Sequence, residues 1–274
     1  MERTTVKDEE LDLLIQTLME TYGYDFSNYT RSSLKRRVSR LLIIDKFPSF
    51  AELFYRVKTD AYYLTHFVEE ITVNVTEMFR DPQVYKTLRE DVLPLLATHP
   101  LIRIWHAGCA TGEEVYSMAI LLHEAGLLHK SLMYATDINP AVIENIKKGI
   151  FPLRAMKQYS ENYIASGGKK DFSSYYTAAY DSVRFNEDLK TKMILATHNL
   201  VSDRSFNEFG LILCRNVLIY FDKELQDKAF TLFEDSLEKG GFLVLGSKEN
   251  IRFSKIASKF MQLNNVDKIW RKIK

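Results

Sequence analysis

The 274-residue chain carries 37 Lys and Arg against 36 Asp and Glu, a formal net charge of +1, so no overall field draws it toward nucleic acid or an anionic membrane. Its 46% hydrophobic and 27% charged content is ordinary for a soluble globular chain, and no stretch is apolar for long enough to span a bilayer. The two cysteines, Cys109 and Cys214, belong to no metal-spaced cluster; buried free thiols in a reducing compartment are expected, and the charged opening MERTTVKDEELDLL is unlike a secretory leader, so the expected location is cytoplasmic.

Residues 8 to 72 carry only helical signals. Asp8 is a capping type ahead of Leu11, Leu14, Ile15 and Leu18, which share one helical face, and Tyr22-Gly23-Tyr24-Asp25 ends that pattern. Ser32 or Ser33 opens a second helix with Leu34, Val38, Leu41 and Leu42 at helical spacing. Phe50, Leu53, Phe54 and Val57 form a third stripe, and the stretch from Leu64 to Ile71 a fourth. Several short helices without a strand predict a separate small helical domain, residues 1–72. Its second helix is one-signed: Arg31, Lys35, Arg36, Arg37 and Arg40 have no acidic residue among them. That face is either solvated or a dock for an acidic helical partner; one-signed charge in a nearly neutral chain favours docking. Nucleic acid is disfavoured, because aromatic interleaving is missing.

The stretch 74–81 joins this domain to the rest. Asn74 and Thr76 are capping types, Pro82 is a helix-start signal, and Arg80 sits just before it. Ile102, Ile104 and Trp105 then read as a buried strand, followed by the turn Gly108-Cys109-Ala110-Thr111-Gly112 and a helix with Val115, Met118, Ala119 and Leu122 on one face. Strand, glycine loop and helix form the first unit of a nucleotide-binding α/β sheet. The loop is neither GxGxxG nor a P-loop. Its Gly108 lets a ligand lie close to the backbone, while Glu113 repels a pyrophosphate and accepts hydrogen bonds from an ammonium or hydroxyls. The pattern therefore favours a nucleoside without phosphates, and S-adenosylmethionine fits.

Residues 131–138 predict a second strand ending in Asp137, where a carboxylate is placed to bind ribose hydroxyls; Asn139-Pro140 then start a helix. Residues 152 to 186, with Gly167-Gly168 and Tyr175-Tyr176, interrupt the alternation and predict an antiparallel hairpin insert. Residues 193–200 read as a strand ending in polar residues, 209–214 as a central buried strand ending at Arg215-Asn216, and 223–237 as a helix terminated by Gly240-Gly241. Strands at 242–246 and between 260 and 272 close the chain. The expected fold is a doubly wound, Rossmann-like sheet over residues 73–274, behind the helical domain.

Five blocks, Asn74-x-Thr-x-x-Phe-Arg-Asp, Ala107-Gly-Cys-Ala-Thr-Gly-Glu-Glu, Ala135-Thr-Asp-Ile, His198-Asn-Leu and Cys214-Arg-Asn-Val-Leu-Ile-Tyr-Phe-Asp, resemble the CheR family of chemotaxis receptor methyltransferases. The resemblance covers nearly the whole chain. It implies an S-adenosylmethionine-dependent enzyme, without a metal, that forms glutamate methyl esters. It implies that Asn74, Thr76, Arg80, Glu113, Asp137, Asn199, Leu200, Arg215 and Asn216 line the cofactor site, with Arg80 and Tyr220 nearest the transferred methyl. It implies that the basic helix, through Arg36, Arg37 and Arg40, meets the acidic helical methylation region of a chemoreceptor. In some members a hairpin insert adds a strand to a receptor's tether peptide. Departures from the family pattern include Met78, Val115, Asn139 and Lys248, and the insert matches only loosely. A monomer is expected, with no membrane insertion and no nucleic acid partner. The rival readings are a methyltransferase acting on another substrate and a non-catalytic S-adenosylmethionine-binding module.

Overall fold

A computed structural model describes residues 6–24, 26–27, 29–71, 76–264 and 266–274; Asn74 and the expected boundary after residue 72 lie outside them. The chain divides into two compact units, one of residues 1–74 with 219–228, the other of 75–218 with 229–274.

The helical unit contains α1 (Asp8–Tyr22), α2 (Arg31–Ile44), α3 (Phe50–Thr59) and α4 (Ala61–Ile71). Asp8 is the first residue of α1 rather than its cap; Lys7 precedes it, and its backbone N–H is held by the Glu10 carboxylate at 2.7 Å. Gly23, at φ 75°, ends α1 by returning its N–H to Leu18 and Met19. The second helix starts before Ser32, because Thr30 takes the cap position and its carbonyl accepts from the Leu34 N–H at 3.1 Å. The apolar stripes meet in one core of Leu11, Leu14, Leu34, Val38, Leu41, Leu53, Val57 and Phe67, each worth about 1.5–3 kcal/mol of burial. The segment 219–228 belongs to this unit: Tyr29 pairs with Phe221 as an isolated antiparallel bridge, and the Thr30 N–H donates to the Tyr220 carbonyl at 2.8 Å.

The second unit opens with α5 (Pro82–Thr87), a π-helical turn at Leu88–Val92 and α6 (Leu93–Leu96). There follow β1 (Ile102–Ala107), α7 (Glu113–Glu124), β2 (Ser131–Asp137), α8 (Pro140–Lys148), β3 (Ile150–Pro152), α9 (Met156–Ala165), β4 (Tyr176–Ala179), β5 (Ser182–Phe185) and α10 (Glu187–Lys190). The series ends with β6 (Met193–Thr197), β7 (Phe209–Cys214), α11 (Lys223–Ser236), of which the part up to Lys228 is counted with the helical unit, β8 (Leu237–Leu245), β9 (Phe260–Gln262) and β10 (Ile269–Lys272). Seven strands form one sheet in the order β6-β2-β1-β7-β8-β10-β9. The first five are mutually parallel, and β10 and β9 add an antiparallel edge. All six residues of β7 are buried, as a central parallel strand requires. Because β2 lies on one side of β1 and β7 on the other, the sheet changes winding direction at β1 and β7. The crevice at their carboxyl ends is where open α/β sheets take ligands.

One sequence expectation needs correction. Gly240 and Gly241 do not stop a helix. They lie inside β8, where its pairing with β7 shifts register between Phe209 and Leu211, and α11 ends earlier, at Ser236. The insert carries the expected antiparallel hairpin, β4 with β5; β5 also pairs with β3, giving a separate three-stranded antiparallel sheet, and most of the insert's first half is the helix α9. That helix is amphipathic enough to bury Met156, Tyr159 and Tyr163, a period masked in the sequence by the flanking glycines and tyrosines.

Candidate active site

The loop after β1 is built by three residues with left-handed backbone: Gly108 at φ 75°, Ala110 at φ 46° and Gly112 at φ 96°. A Cβ at Gly108 would come within 2.6 Å of Val217, and one at Gly112 within 2.6 Å of Ile146. Only glycine combines this conformation with so close an approach. The loop is pinned to β2: the Gly108 and Cys109 N–H groups both donate to the Thr136 carbonyl, at 2.9 and 3.0 Å. Cys109 is buried, and burial pushes its thiol well above the ordinary range, which makes it a packing residue rather than a nucleophile.

Asp137 closes β2 with 8% of its surface exposed. One carboxylate oxygen accepts the Ala110 N–H at 3.0 Å and the other the Asn139 N–H at 3.0 Å. A carboxylate has about four lone-pair sites, so each oxygen keeps room for one further donor. Burial raises its pKa, against the pull of those backbone donors; hydroxyls from a ligand would favour the charged form. Asn139 caps α8 as its residue type predicts, accepting from the Ala141 N–H at 2.9 Å.

Glu113, the first residue of α7, is 6% exposed. It accepts from the Thr111 hydroxyl at 2.5 Å and from the Tyr159 hydroxyl at 3.2 Å. Burial raises its pKa as well. Tyr159 escaped the sequence reading because nothing local in α9 indicates that it reaches Glu113.

Arg215 and Asn216 leave β7 at the adjacent crevice edge. The Asn216 backbone is left-handed, at φ 61°. Its N–H donates to Glu249 at 3.0 Å, and Glu249 also accepts the Gly246 N–H at 2.6 Å. Its side-chain oxygen is buried with no hydrogen-bond partner among the described residues. Arg215 is committed within the protein. One terminal nitrogen donates to the Arg80 carbonyl and to Asp81, each at 2.7 Å, and the other to Glu114 at 3.4 Å. Glu114 is bound in turn by the buried His106 at 2.9 Å. Burial works against both charges, yet Tyr85, Glu114 and Asp81 hold the Arg215 pKa up, and His106 with Arg215 holds Glu114 down.

This network braces the segment that carries Arg80. Phe79 and Asp81 on either side of it are both left-handed, at φ 52° and 56°, a conformation that costs on the order of 1–3 kcal/mol per residue unless the surroundings enforce it. Phe79 is fully buried against Tyr85, Tyr163 and Phe172, and its N–H donates to Ser117 at 2.9 Å. Asp81 is held by Arg215. Arg80 itself is half-buried, and its guanidinium forms no ion pair among the described residues. Thr76 lies half-buried on the same approach.

Asn199 and Leu200 follow β6, whose Thr197 stands across from Asp137. The Asn199 side-chain oxygen is used locally, accepting the Val201 N–H at 3.0 Å, and Leu200 is 8% exposed. The remaining candidates, Arg36, Arg37, Arg40 and Tyr220, belong to the helical unit. Arg36 and Arg40 are exposed on α2 without an ion pair among the described residues. Arg31 and Lys35 are paired with Asp12 and Asp8, at 2.6 and 2.7 Å. Arg37 turns away from that face: it is half-buried, donates to the Ile71 carbonyl at 2.9 Å and lies 5.0 Å over the Tyr220 ring.

A crevice at the winding switch, a glycine loop with a carboxylate instead of a phosphate-binding lysine, a strand-end aspartate with open lone pairs and an orphaned buried amide oxygen suit a nucleoside bearing hydroxyl and ammonium donors. These residues fit S-adenosylmethionine, and the class they define is the S-adenosylmethionine-dependent methyltransferases. Residues 74–266 match the family description "CheR methyltransferase, SAM binding domain", and residues 9–72 match "CheR methyltransferase, all-alpha domain". The chain belongs to the CheR methyltransferase family. It is similar to Cher3 of Pseudomonas putida, at 46% identity over 99% of this chain and 98% of that one. It is also similar to the chemotaxis protein methyltransferase of Listeria innocua, at 32% identity over 90% of this chain and 92% of that one. Among solved structures, the glycopeptide N-methyltransferase MtfA with sinefungin covers 62% of this chain and 50% of its own at 10% identity and a TM-score of 0.38, a likeness too loose to bear on the site. No helix among the described residues is long and apolar enough to cross a membrane.

Proposed function

We propose that the protein transfers a methyl group from S-adenosylmethionine to glutamate side-chain carboxylates of a chemoreceptor, giving glutamate methyl esters. The observation that carries this reading is Arg80: a guanidinium with no ion-pair partner among the described residues, on a segment whose strained backbone is braced by Arg215 and by the Phe79 cage. An unpaired guanidinium carried on a braced segment is a receptor for a carboxylate. The Listeria relatives are named chemotaxis protein methyltransferases, which supports a protein substrate.

The chemistry asks for alignment more than for acid–base help. A glutamate carboxylate has a reference pKa of about 4.3 and is ionised at neutral pH, so no general base is required. S-adenosylmethionine, when bound, supplies the electrophilic methyl and its leaving group. In this reading Asp137 takes the ribose hydroxyls, Glu113 the amino acid end, and Asn74, Thr76, Asn199, Leu200 and Asn216 line the rest of the cleft. Arg80 and Tyr220 hold the substrate carboxylate. Arg215 acts by holding Arg80 in place. Well-oriented reactants gain roughly 7–11 kcal/mol at best from pre-paid entropy, which is why the bracing matters.

Arg36 and Arg40 dock the acidic helix of the substrate. In the double variant Arg36→Glu/Arg40→Glu, the KM for an acidic helical receptor fragment should rise roughly tenfold or more, since two attractions of up to about 1 kcal/mol each become repulsions, while S-adenosylmethionine affinity stays the same. An unchanged KM would contradict receptor docking and favour a small substrate.

A further inference from the structure

The helix α2 has two working faces. Arg36 and Arg40 are four residues apart and point outward together, and both are exposed. Arg37, one position on from Arg36, is turned about 100° around the axis and faces inward. There it sits 5.0 Å over the Tyr220 ring, with a terminal nitrogen on the Ile71 carbonyl at 2.9 Å. The two residues just ahead of the helix, Tyr29 and the capping Thr30, also hold the main chain around Tyr220. The Thr30 N–H and hydroxyl both donate to the Tyr220 carbonyl, at 2.8 and 3.2 Å, and Tyr29 packs on Phe221 with ring centroids 5.1 Å apart.

Arg37 differs from its neighbours in the company it keeps. Arg31 and Lys35 have carboxylate partners on α1; Arg37, more buried than Arg31, has none among the described residues. Burial lowers its pKa, and the Tyr220 hydroxyl offsets part of that cost. A half-buried cation without a carboxylate is a poor device for stability alone, but a planar guanidinium over a ring fixes the ring's plane.

We propose that Arg37 is a positioning residue for methyl transfer: it holds the Tyr220 ring in place, so that the helix presenting Arg36 and Arg40 to the substrate also sets the tyrosine that meets the substrate's carboxylate. The proposal rests on the role given to Tyr220 under the proposed function. It predicts that Arg37 governs turnover rather than docking, although it lies in the same basic run as the docking arginines.

The test is steady-state methylation of an acidic helical receptor fragment by wild type, Arg37→Ala, Arg37→Lys, Tyr220→Phe and the double variant Arg37→Ala/Tyr220→Phe, each also titrated with S-adenosylhomocysteine. Arg37→Ala should lower kcat by roughly 2- to 30-fold, the worth of a partly buried cation–ring contact, with KM and S-adenosylhomocysteine affinity little changed. Arg37→Lys should restore part of kcat. The double variant should be no slower than Tyr220→Phe, because Arg37 acts through the tyrosine. If Arg37→Ala does not fold, the comparison of Arg37→Lys with wild type, alone and combined with Tyr220→Phe, carries the same test. An Arg37→Ala enzyme with wild-type kcat, or losses that multiply in the double variant, would overturn the inference and leave the proposed function standing. A wild type that transfers no methyl to a carboxylate would overturn the proposed function and this inference with it.

Discussion

Replacing Asp137 by Asn removes charge and one acceptor while keeping shape. In the free protein the two carboxylate oxygens satisfy the Ala110 and Asn139 N–H groups, each at 3.0 Å, and keep one open lone pair apiece. An asparagine presents one oxygen, so whichever way it turns its NH2 faces one of the two backbone N–H groups and takes the place of one acceptor for the ligand's hydroxyls. Hydrogen bonds to a charged group are worth about 1.5–3 kcal/mol. Losing one of two ligand hydroxyls therefore weakens S-adenosylmethionine binding by roughly 10- to 150-fold, at 1.36 kcal/mol per decade. Asp137→Ala loses both and also frees the loop at Ala110, for a loss on the order of 100- to 10,000-fold. Asp137→Asn leaves one backbone N–H without its acceptor, at about 1–3 kcal/mol, but burial already disfavours this charge, so the net cost to the unliganded fold should stay below that range. The assay is calorimetric titration with S-adenosylmethionine and S-adenosylhomocysteine, with thermal melting of the free protein alongside. Asp137→Asn binding within threefold of wild type would refute the ribose assignment; a loss of affinity matched by an equal loss of stability would reduce Asp137 to a loop brace.

Arg80→Ala should leave S-adenosylhomocysteine affinity within a fewfold of wild type and lower kcat at least tenfold, since one charged hydrogen bond to the substrate carboxylate is worth about 1.5–3 kcal/mol; single-turnover methylation separates the two effects. Arg215→Met leaves Asp81 and Glu114 without their shared cation. It should destabilise the fold by about 3 kcal/mol, the lower end for a broken buried pair, which thermal melting reads as a drop of roughly 6–12 °C. The same variant should lower turnover by releasing the Arg80 segment. Acidification should weaken cofactor binding. Burial holds Glu113 and Asp137 above the usual carboxylate range, and ligand donors need them ionised. Affinity should therefore fall as pH drops through those raised values, above the ordinary pKa of about 4, with proton release on binding measurable by titration in buffers of different ionisation enthalpy.

Where a residue's role is decided by its immediate neighbours, the sequence was a good guide. The stop at Gly23, the Asn139 cap, the turn from Gly108 to Gly112 and the all-buried β7 follow from local conformation and from periods of 3.6 and 2. Four of the five short blocks, all but the one from Asn74 to Asp81, fall at the ends of strands that the winding brings to one edge of the sheet. Roles set by distant chain were not legible. Nothing near Arg37 says that Tyr220 lies under it, so it read as one more docking arginine. Tyr159 reaches Glu113 from α9, and Glu249 holds Asn216 from beyond β8; both pairings depend on the folded path of the insert and of the final strands. Gly240-Gly241 misled for a related reason: a glycine pair after a helical stripe signals a stop, but here the helix ends sooner and the pair serves a strand irregularity.

The central claim is methyl transfer to a carboxylate, and its product has a chemical signature. An acidic helical receptor fragment incubated with the protein and S-adenosylmethionine labelled in the methyl group should gain label that mild alkali releases as methanol, and Arg80→Ala should abolish most of it. Label that resists alkali, as on nitrogen or an ether oxygen, or no label on any acidic helical substrate despite tight cofactor binding, would contradict the account.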